Sequence, residues 1–336
     1  MRICVIGGSG FIGTRLVEKL VAMQHDVVIF DRLSSVAFPS RVILGDVRDA
    51  ADVERALGNC DYVIALAAEH RDDVRPVSRY FDVNVGGAKN VAAAMHRMGV
   101  KRALFVSSVA VYGLKQILPD ESSALAPASP YGDSKVQAEA VFQRWREDAP
   151  DVRSLVIMRP VVVFGEGNHG NVFNLIEQIR RKRFVMVGRG NNRKSMAYVE
   201  NVVDFICTQL SESSGIRIFN YADKPDQRVR DLVRTIYSLL GVGSPGTIFL
   251  PRWLGLFAGY VFDVATILTR RSFPVSSRRV RAFCADTSVS TEALERTGFS
   301  PQVDLHVGLE RMIAHLDDDE DRLTPAAQDR ARRSAG

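Results

Sequence analysis

Short apolar runs alternate with segments of helical periodicity through the first half of the chain. The runs are Arg2–Ile6, Val27–Phe30, Val42–Leu44, Tyr62–Leu66, Arg102–Val106 and Ser154–Met158. The segments between them carry apolar residues at three- and four-residue spacing, which is typical of amphipathic helices. Strands and helices that alternate in this way predict a doubly wound parallel sheet with helices on both faces.

The pattern loosens after residue 165. Gly188–Ser195 is predicted as a polar, basic loop, Tyr198–Leu210 as a helix and Arg217–Asn220 as a strand. We therefore predict a first domain over 1–165, to which part of 190–210 returns, and a smaller α+β substrate-binding domain over 166–316. Residues 317–336 mix acidic, basic and small residues without apolar periodicity, so they are predicted to be a mobile tail.

A long apolar segment lies near residues 248–268, and we expect a helix over 250–269. Nearly every residue from Phe249 to Phe262 is apolar, and the flanking basic residues are Arg252, Arg270, Arg271, Arg278 and Arg279. No stretch reaches about 18 uncharged apolar residues, so a membrane-spanning helix is not predicted. Two placements fit the segment. It can lie in a bilayer interface with its basic flanks facing anionic lipid, or it can be buried in the second domain.

Composition describes an ordinary globular protein. Of 336 residues, 25% are charged and 46% hydrophobic, and the net charge of +5 does not by itself indicate a nucleic-acid partner, so none is expected. The cysteines (Cys4, Cys60, Cys207 and Cys284) are far apart and lack metal-ligand spacing, so we expect no metal and buried thiols in a reducing cytosol. No signal peptide is predicted, because the first apolar run leads straight into a glycine-rich turn.

That glycine-rich turn indicates a dinucleotide site. Gly7, Gly10 and Gly13 follow the spacing G-x-x-G-x-x-G between a strand and a helix. Glycines there let the backbone approach a pyrophosphate, and the helix N-terminus stabilises its charge. The next strand ends in Asp31, which can accept both adenosine ribose hydroxyls and would repel a 2′-phosphate. The pattern favours NAD on a Rossmann-type domain, while the neighbouring Arg32 keeps NADP open.

Polar residues follow the ends of two further strands. Asp46 comes after Val42–Leu44, where it can bond the adenine amine or serve instead as the N-cap of a helix over Arg48–Leu57. Ser108 comes after Arg102–Val106, where it can bond a substrate hydroxyl or simply form a turn. Both assignments therefore leave a structural alternative open.

A tyrosine and a lysine four residues apart supply the candidate acid–base chemistry. Tyr131 and Lys135 lie in Pro130-Tyr131-Gly132-Asp133-Ser134-Lys135, and a helix would place both side chains on one face. A tyrosine phenol titrates at about 10, and an ammonium beside it lowers that pKa toward neutrality. The pair predicts a general base, although an ordinary helix start carries the same pattern.

As a set, these motifs and Arg159-Pro160 resemble the extended short-chain dehydrogenase/reductase family over nearly the whole chain. The resemblance implies that Tyr131 is the acid–base residue, that Lys135 holds the nicotinamide ribose, and that Ser108 shares the substrate hydroxyl. It implies cofactor contacts at Gly7, Gly10, Phe11, Ile12, Gly13, Asp31, Asp46, Val47, Ala67, Asn84 and Pro160, besides Tyr131 and Lys135. It also implies a homodimer that packs through helices near 75–98 and 130–149.

Four stretches narrow the resemblance. Ala67–Val74, Ser107–Leu114, Lys194–Val199 and Pro274–Val280 look like bacterial 4-epimerases that act on undecaprenol-linked N-acetylglucosamine diphosphate in O-antigen assembly. This likeness implies a lipid-linked sugar diphosphate substrate, epimerised at C4 through a 4-keto sugar. It also implies contact with a membrane surface by a peripheral protein on the cytoplasmic face of the inner membrane. Substrate contacts are expected at Glu69, Asn171, Arg193 and Lys194.

Two differences from the usual family sequence argue against binding of a UDP-sugar diphosphate. Val162 stands where many family members have an asparagine that contacts the nucleotide-sugar diphosphate, and Lys194 stands where arginine is usual. A UDP-hexose 4-epimerase remains an alternative, as do a nucleotide-sugar reductase or dehydratase and a non-catalytic NAD sensor. Val109-Ala110 argues against a dehydratase, because dehydratases of this family usually carry Asp-Glu after the catalytic Ser or Thr.

Overall fold

The computed structural model describes residues 1–336 except 72–73, 212–214, 244–248, 270–275 and 318–336, and it does not describe the side chains of 266–268. The predicted tail 317–336 therefore lies, apart from Asp317, outside the described residues. The same holds for parts of the stretches Ala67–Val74 and Pro274–Val280, namely Asp72, Asp73, Pro274 and Val275, and for the flanking residues Arg270 and Arg271.

The described residues form twelve strands and twelve helices, which alternate through most of the first 160 residues and less regularly after them. The strands are β1 (Arg2–Ile6), β2 (Asp26–Asp31), β3 (Val42–Leu44), β4 (Tyr62–Ala65), β5 (Arg102–Val106), β6 (Ser154–Pro160), β7 (Val162–Phe164), β8 (Met186–Val187), β9 (Arg193–Tyr198), β10 (Gly215–Tyr221), β11 (Asp223–Arg228) and β12 (Phe249–Leu250). The helices are α1 (Phe11–Ala22), α2 (Ala50–Leu57), α3 (Ser78–Tyr80), α4 (Gly87–Arg97), α5 (Pro130–Glu147), α6 (Asn171–Arg180), α7 (Val199–Thr208), α8 (Val229–Leu239), α9 (Arg252–Thr269), α10 (Ser277–Cys284), α11 (Glu292–Glu295) and α12 (305–317).

The chain divides into two compact units. The first comprises Met1–Val161, Val199–Lys224 and Asp286–Pro301. Its seven-stranded sheet has the order β10-β6-β5-β4-β1-β2-β3, and the registers of its neighbouring strands are parallel. The direction of winding changes between β1 and β4, which is the point where such sheets bind ligands at their carboxyl edge. The predicted doubly wound parallel sheet is confirmed.

Local sequence explains where the helices of this unit begin. Asp49 caps α2, because its carboxylate accepts hydrogen bonds from the backbone N–H groups of Ala51 and Asp52. The alternative in which Asp46 caps this helix is therefore wrong. Ser129 caps α5 by accepting from Gly132 N at 3.0 Å, and Pro130 occupies the first helical position, where its missing N–H costs nothing.

The helix expected near 75–98 is instead divided into three parts. A single turn, α3, leads into a π-helical segment, Phe81–Gly86, and then into α4. Pro76 lies in the predicted first turn, lacks an N–H and restricts the residue before it, so the helix begins later. Single π turns inside helices are frequent at functional sites, and this one carries Asn84.

The second unit comprises Val162–Tyr198, Pro225–Ala285 and Gln302–Gly336. It contains a three-stranded sheet in the order β11-β9-β7 and the parallel pair β12-β8. Part of the predicted loop Gly188–Ser195 is wrong, because β9 begins at Arg193 and pairs with β7. The predicted second domain also differs from this unit: β10 completes the first sheet through its pairing with β6, and 286–301 belongs to the first unit.

Candidate active site

The glycine turn folds back against the end of β4. Gly7 has a φ of +85°, and a Cβ there would lie 2.7 Å from the backbone nitrogen of Ala67. Gly10 is the N-cap of α1 and supplies no side-chain hydrogen bond, so the helix N-terminus carries no capping side chain of its own. Close backbone approach and an uncapped helix start are the features that accommodate a pyrophosphate.

Asp31 stands beside this turn at the end of β2. Its carboxylate accepts hydrogen bonds from the backbone nitrogens of Ser9 and Leu33, each at 3.1 Å. The carboxylate is thus fixed next to the glycine turn, where an unmodified ribose would meet an acceptor and a 2′-phosphate would meet a like charge. The residues present therefore fit NAD.

Asp46 and Val47 follow β3 and are held by their own neighbours. The side chain of Arg48 donates to both oxygens of Asp46, at 3.0 and 2.6 Å, and this pairing is the main cause that lowers the pKa of the Asp46 carboxyl. Val47 packs so closely on α4 that a Cβ at Gly87 would lie 2.9 Å from its methyl groups. Their contacts with the cofactor stay predictions.

Gly13→Ala tests the glycine turn. A Cβ at Gly13 would lie 2.4 Å from the carbonyl oxygen of Gly7 and 2.6 Å from the Cα of Gly8, and backbone cannot give way as a flexible side chain can. We expect a loss of about 1–3 kcal/mol in the free energy of unfolding and weaker NAD binding. Urea denaturation and NAD titration measure the two effects. Gly243→Ala, where a Cβ meets nothing within 4 Å, is the matched control and should change neither.

Ser108, Tyr131 and Lys135 meet at the carboxyl edge of the first sheet. Ser108 caps the short 3-10 turn Val109–Tyr112, its hydroxyl accepting from Ala110 N at 3.2 Å. Its hydroxyl also lies within hydrogen-bonding reach of the half-buried Tyr131 phenol on the first turn of α5. Lys135 is buried one turn further along the same helix. The structure thus brings together the three residues predicted for catalysis.

The lysine, however, is not what tunes the tyrosine in this arrangement. Burial raises the pKa of Tyr131 to about 12, against a smaller lowering by the Ser108 hydroxyl and a further increase caused by Tyr80. Lys135 instead donates from Nζ to the carbonyl oxygen of Val106 at 2.7 Å and lies 4.3 Å from the ring centroid of Phe105. The predicted lowering of the Tyr131 pKa by the ammonium is thus not present in the protein without cofactor, and for the cofactor-bound protein it stays a prediction.

Burial also lowers the pKa of Lys135 to about 7, although the nearby Glu139 opposes the shift. An unfolded lysine titrates at about 10.4, so between these values the unfolded chain binds the extra proton. The contribution of Lys135 to the free energy of unfolding is therefore fully present above about pH 10.4 and is lost as pH falls toward 7.

Lys135→Met should reveal how much the buried ammonium lowers the free energy of unfolding at neutral pH. The variant removes a buried amine without leaving a large cavity, so at pH 7 it should be more stable than the wild-type protein without cofactor. The difference should shrink as pH rises toward 10, because the wild-type amine is then neutral in both states. Urea denaturation at several pH values measures it. A difference independent of pH would contradict the assigned pKa, and Lys89→Met, a change at an exposed lysine, is the control.

Asn84 ties the end of β4 to the start of α5. Its Oδ1 accepts from Glu69 N at 2.8 Å, and its Nδ2 donates to Glu69 O at 3.0 Å and to Ser134 Oγ at 2.9 Å. Ser134 in turn donates to the carbonyl oxygen of Tyr131 at 2.7 Å. The amide predicted to contact the cofactor thus holds the turn that carries Tyr131, and a contact with NAD stays a prediction.

Comparison with known proteins agrees with this geometry. Residues 3–222 match the model of the NAD dependent epimerase/dehydratase family. The chain belongs to this family. It is 45% identical over 93% of its length to N-acetyl-alpha-D-glucosaminyl-diphospho-ditrans,octacis-undecaprenol 4-epimerase of Escherichia coli O157:H7, covering 94% of that protein. It is 27% identical to a Vibrio cholerae UDP-glucose 4-epimerase, over 80% of this chain and 84% of that one.

Solved structures of family members share the fold. The UDP-glucose 4-epimerase of Thermus thermophilus, in complex with NAD, superposes with a TM-score of 0.73 at 22% identity, over 94% of this chain and 98% of that one. Membership of an NAD dependent family confirms NAD as the cofactor, and the 4-epimerase relatives confirm the predicted class, an NAD-dependent isomerase. Among the described residues, no cluster of side chains is suited to hold a metal ion.

In this epimerase-family chain a buried ion pair lies directly behind the side chains predicted to be catalytic. Arg159 donates to both oxygens of Glu139, at 3.0 and 2.6 Å, and both side chains are almost completely buried. Ser107, the neighbour of Ser108, donates to the same carboxylate at 2.5 Å. Arg159 also donates to the Tyr112 hydroxyl at 2.7 Å. These contacts join α5, β5 and β6 beneath the site.

Sequence reasoning missed the role of Glu139. It lies four residues after Lys135, so the periodicity that places Tyr131 and Lys135 on one face of α5 also places Glu139 there. Of Arg159 and Glu139, only Arg159 belongs to a motif recognised in the sequence. The signal for Glu139 was a carboxylate on the buried face of a helix, which indicates a partner because an ionised group is almost never fully buried without one.

The predicted substrate residues divide between the two units. Glu69, in the first unit, is buried and pairs with Arg79 at 3.0 Å and with Arg71 at 3.4 Å. Asn171, in the second unit, begins α6 and is exposed. In the same unit Lys194 donates to the carbonyl oxygens of Ala282 and Ala285, so it secures the end of α10.

Arg193 begins β9 in the second unit and is exposed. A cavity of about 700 Å³ in this unit gathers other cations, Arg189, Arg230 and Arg234, over an apolar wall. Neither Arg193 nor Lys194 lines this cavity. The four substrate contacts stay predictions.

Proposed function

We propose that this enzyme epimerises C4 of N-acetylglucosaminyl-diphospho-undecaprenol, giving the N-acetylgalactosaminyl lipid, in surface-polysaccharide (O-antigen) synthesis. The observation that carries the proposal is the 45% identity, over 93% of the chain, to the E. coli epimerase named for that lipid. The UDP-glucose epimerase of Vibrio cholerae is more distant, at 27% identity. The site geometry supports the same chemistry, because an acid–base tyrosine and a serine hydroxyl face one position at the carboxyl edge of an NAD-binding sheet.

When bound, NAD supplies the redox chemistry: a hydride acceptor for C4 and, afterwards, a hydride donor to it. Tyr131 takes the proton from the C4 hydroxyl as the C4–H bond breaks, and it returns that proton when the bond forms again. Ser108 donates a hydrogen bond to the same oxygen as it becomes a ketone. Gly7, Gly13 and Asp31 would hold the cofactor. The sugar turns over between the two steps, so the second C–H bond forms on the opposite face and the configuration inverts.

The phenolate form of Tyr131 needs a positive charge near it, and the cofactor can supply part of that charge. A phenol whose pKa is about 12 holds its proton at neutral pH, so a base needs a nearby positive charge to favour the phenolate. We propose that Lys135, presented to the nicotinamide ribose, supplies part of that charge together with the oxidised nicotinamide ring. Proton removal is then linked to the oxidised cofactor, which is the state that the first step needs.

Two features of the second unit support a carrier other than UDP. Val162 replaces the asparagine that many family members use for the nucleotide-sugar diphosphate, and it lies on β7 with 41% of its surface exposed. Lys194 replaces the usual arginine and is engaged with two backbone carbonyls of 282–285. Neither side chain offers the planar, bidentate grip that arginine gives a diphosphate.

The substrate sets the location. An undecaprenyl chain is confined to the membrane, so we propose a peripheral enzyme on the cytoplasmic face of the inner membrane. No helix among the described residues is long and apolar enough to cross a bilayer.

We also propose a homodimer that packs through helices near 75–98 and 130–149, because α4 and α5 lie side by side in the first unit.

The purified protein in mild detergent tests the proposed substrate. It is incubated with undecaprenyl-diphospho-N-acetylglucosamine, and in parallel with UDP-N-acetylglucosamine, and the sugars released by mild acid are identified. N-acetylgalactosamine from the lipid alone is the expected result. Conversion of the UDP sugar alone would make the protein a UDP-hexose 4-epimerase, and conversion of neither would overturn the assignment.

A further inference from the structure

Helix α9 presents an apolar stripe to solvent. The stripe consists of Trp253, Phe257, Tyr260, Val261 and Val264, and Trp253 and Phe257 are 70% and 62% exposed. Positions 253, 257, 260, 261 and 264 follow the three- and four-residue spacing of one helix face. Buried placement of this segment, one of the two alternatives from the sequence, is therefore wrong for this face. A contiguous exposed apolar surface of this kind marks an interaction site.

The opposite face of α9 fixes its orientation. A Cβ at Gly255 would lie 2.6 Å from a methyl group of Val187, and a Cβ at Gly259 would lie 2.7 Å from the backbone of Ser277. Asp263, four residues after Gly259, accepts from Ser277 N at 3.2 Å. Gly255, Gly259 and Asp263 thus form an inward row that packs on β8 and α10. The sole acidic residue of α9 is turned away from the stripe.

Arginines border the stripe. Arg252 begins α9 and is exposed, and α10, which packs against α9, carries Arg278, Arg279 and Arg281 on its exposed positions. Arg281 donates to the Tyr260 hydroxyl, and its guanidinium lies 5.4 Å from the ring centroid of Tyr260. Cations beside an apolar face that includes tryptophan and tyrosine match the boundary between acyl chains and anionic head groups.

We propose that this stripe, with Arg252 and the α10 arginines, docks the enzyme in the plane of an anionic bilayer. The inference rests on the proposed function and names the partner surface. A second copy of the chain is a poor partner for this surface. A two-fold interface would bring the arginines of both copies together, and these like charges repel. An anionic bilayer fits both the apolar stripe and the arginines. The stripe inserts at the boundary between head groups and acyl chains, and the arginines bind lipid phosphates.

Tryptophan fluorescence reports docking directly. The chain has two tryptophans, and Trp145 is buried in the first unit, so a spectral change on adding vesicles reports Trp253. With vesicles of phosphatidylcholine and phosphatidylglycerol we expect a blue shift, quenching by brominated acyl chains and sedimentation of the protein with the vesicles. Binding to phosphatidylcholine alone should be weaker by about fivefold for each arginine engaged, at about 1 kcal/mol per cation. Equal binding to both vesicle types would overturn the role of the arginines.

Surface variants separate the stripe from the rest of the molecule. Trp253→Ser with Phe257→Ser should weaken vesicle binding at least tenfold, measured by sedimentation. Arg278→Gln with Arg279→Gln should weaken binding only to the anionic vesicles. Ile117→Ser with Val152→Ser, at exposed apolar positions of the first unit, is the matched control and should bind as the wild type does. Wild-type binding by the stripe variant would overturn the proposal.

Activity distinguishes this proposal from the proposed function. The stripe variant should turn over lipid substrate dispersed in detergent at the wild-type rate, but turn over vesicle-embedded substrate at least tenfold more slowly. Loss of both activities with normal vesicle binding would overturn the docking role. If the wild-type protein docks as expected but converts no lipid-linked sugar in either form, the docking surface stands and the proposed function fails.

Discussion

Tyr131→Phe is expected to lower kcat by about 10²–10⁴-fold, the usual contribution of general acid–base catalysis, while NAD binding remains within a few-fold of wild type. In the proposed mechanism the phenol is the group beside Ser108 that moves the C4 hydroxyl proton. The ring itself keeps its contact with Tyr80, at 6.4 Å between centroids, so the fold of the first turn of α5 should persist. Turnover of the lipid-linked sugar and NAD titration measure the two properties.

Tyr62→Phe is the matched control for this variant. Tyr62 is a buried tyrosine at the start of β4, and its hydroxyl donates to the carbonyl oxygen of Gln209 at 3.4 Å. Its removal tests the effect of losing a buried hydroxyl away from the carboxyl edge of the sheet, and activity should be nearly unchanged. A Tyr131→Phe protein that retained full activity would remove Tyr131 from the mechanism.

Arg159→Met is expected to lower the free energy of unfolding by about 3–5 kcal/mol, the usual cost of removing one partner from a buried ion pair. The change would leave the Glu139 carboxylate, with a side chain only 1% exposed, bonded to the Ser107 hydroxyl but without its guanidinium partner. The nearby Lys135 amine, whose own pKa burial lowers to about 7, replaces that charge only in part. Urea denaturation of the protein without cofactor measures this. The size of the effect follows from burial, since exposed pairs typically contribute about 0–1 kcal/mol.

Two further variants make this expectation specific. Arg296→Met removes a pair with Glu292 at 3.0 Å in which both side chains are more than 70% exposed, and it should cost less than about 1 kcal/mol. Arg159→Met with Glu139→Leu removes both buried charges and should recover most of the stability lost in the single variant. If Arg159→Met were no more destabilising than Arg296→Met, the buried pair would not be the support described above.

The first sheet was predictable because each of its early strands is followed by a recognisable partner. Gly7, Gly10 and Gly13 fix β1 and α1, and Asp31 marks the end of β2. The position of β10 was not predictable in this way. Its apolar pattern indicates a strand, but a strand far along the chain carries no local signal for the sheet that it joins. Only its register with β6 shows that it is the seventh strand.

The candidate site shows a similar division. Helical spacing correctly placed Tyr131 and Lys135 on one face, because periodicity determines which side of a helix a residue occupies. Spacing does not determine where a long side chain ends. The Lys135 ammonium turns to the carbonyl of Val106, and burial of the phenol outweighs its neighbours in setting the pKa of Tyr131. The partner of Glu139 was likewise hidden, because Arg159 lies on another strand.

The direct test of the central claim is to follow the hydrogen at C4. Undecaprenyl-diphospho-N-acetylglucosamine labelled with deuterium at C4 is converted in ordinary water, and the label in the N-acetylgalactosaminyl product is measured by mass spectrometry. The proposed mechanism predicts that the label stays at C4, because Tyr131 moves only the hydroxyl proton and the same hydrogen returns to carbon. Loss of the label to water would contradict oxidation and reduction at C4, and with it the roles given to Tyr131, Ser108 and the glycine turn.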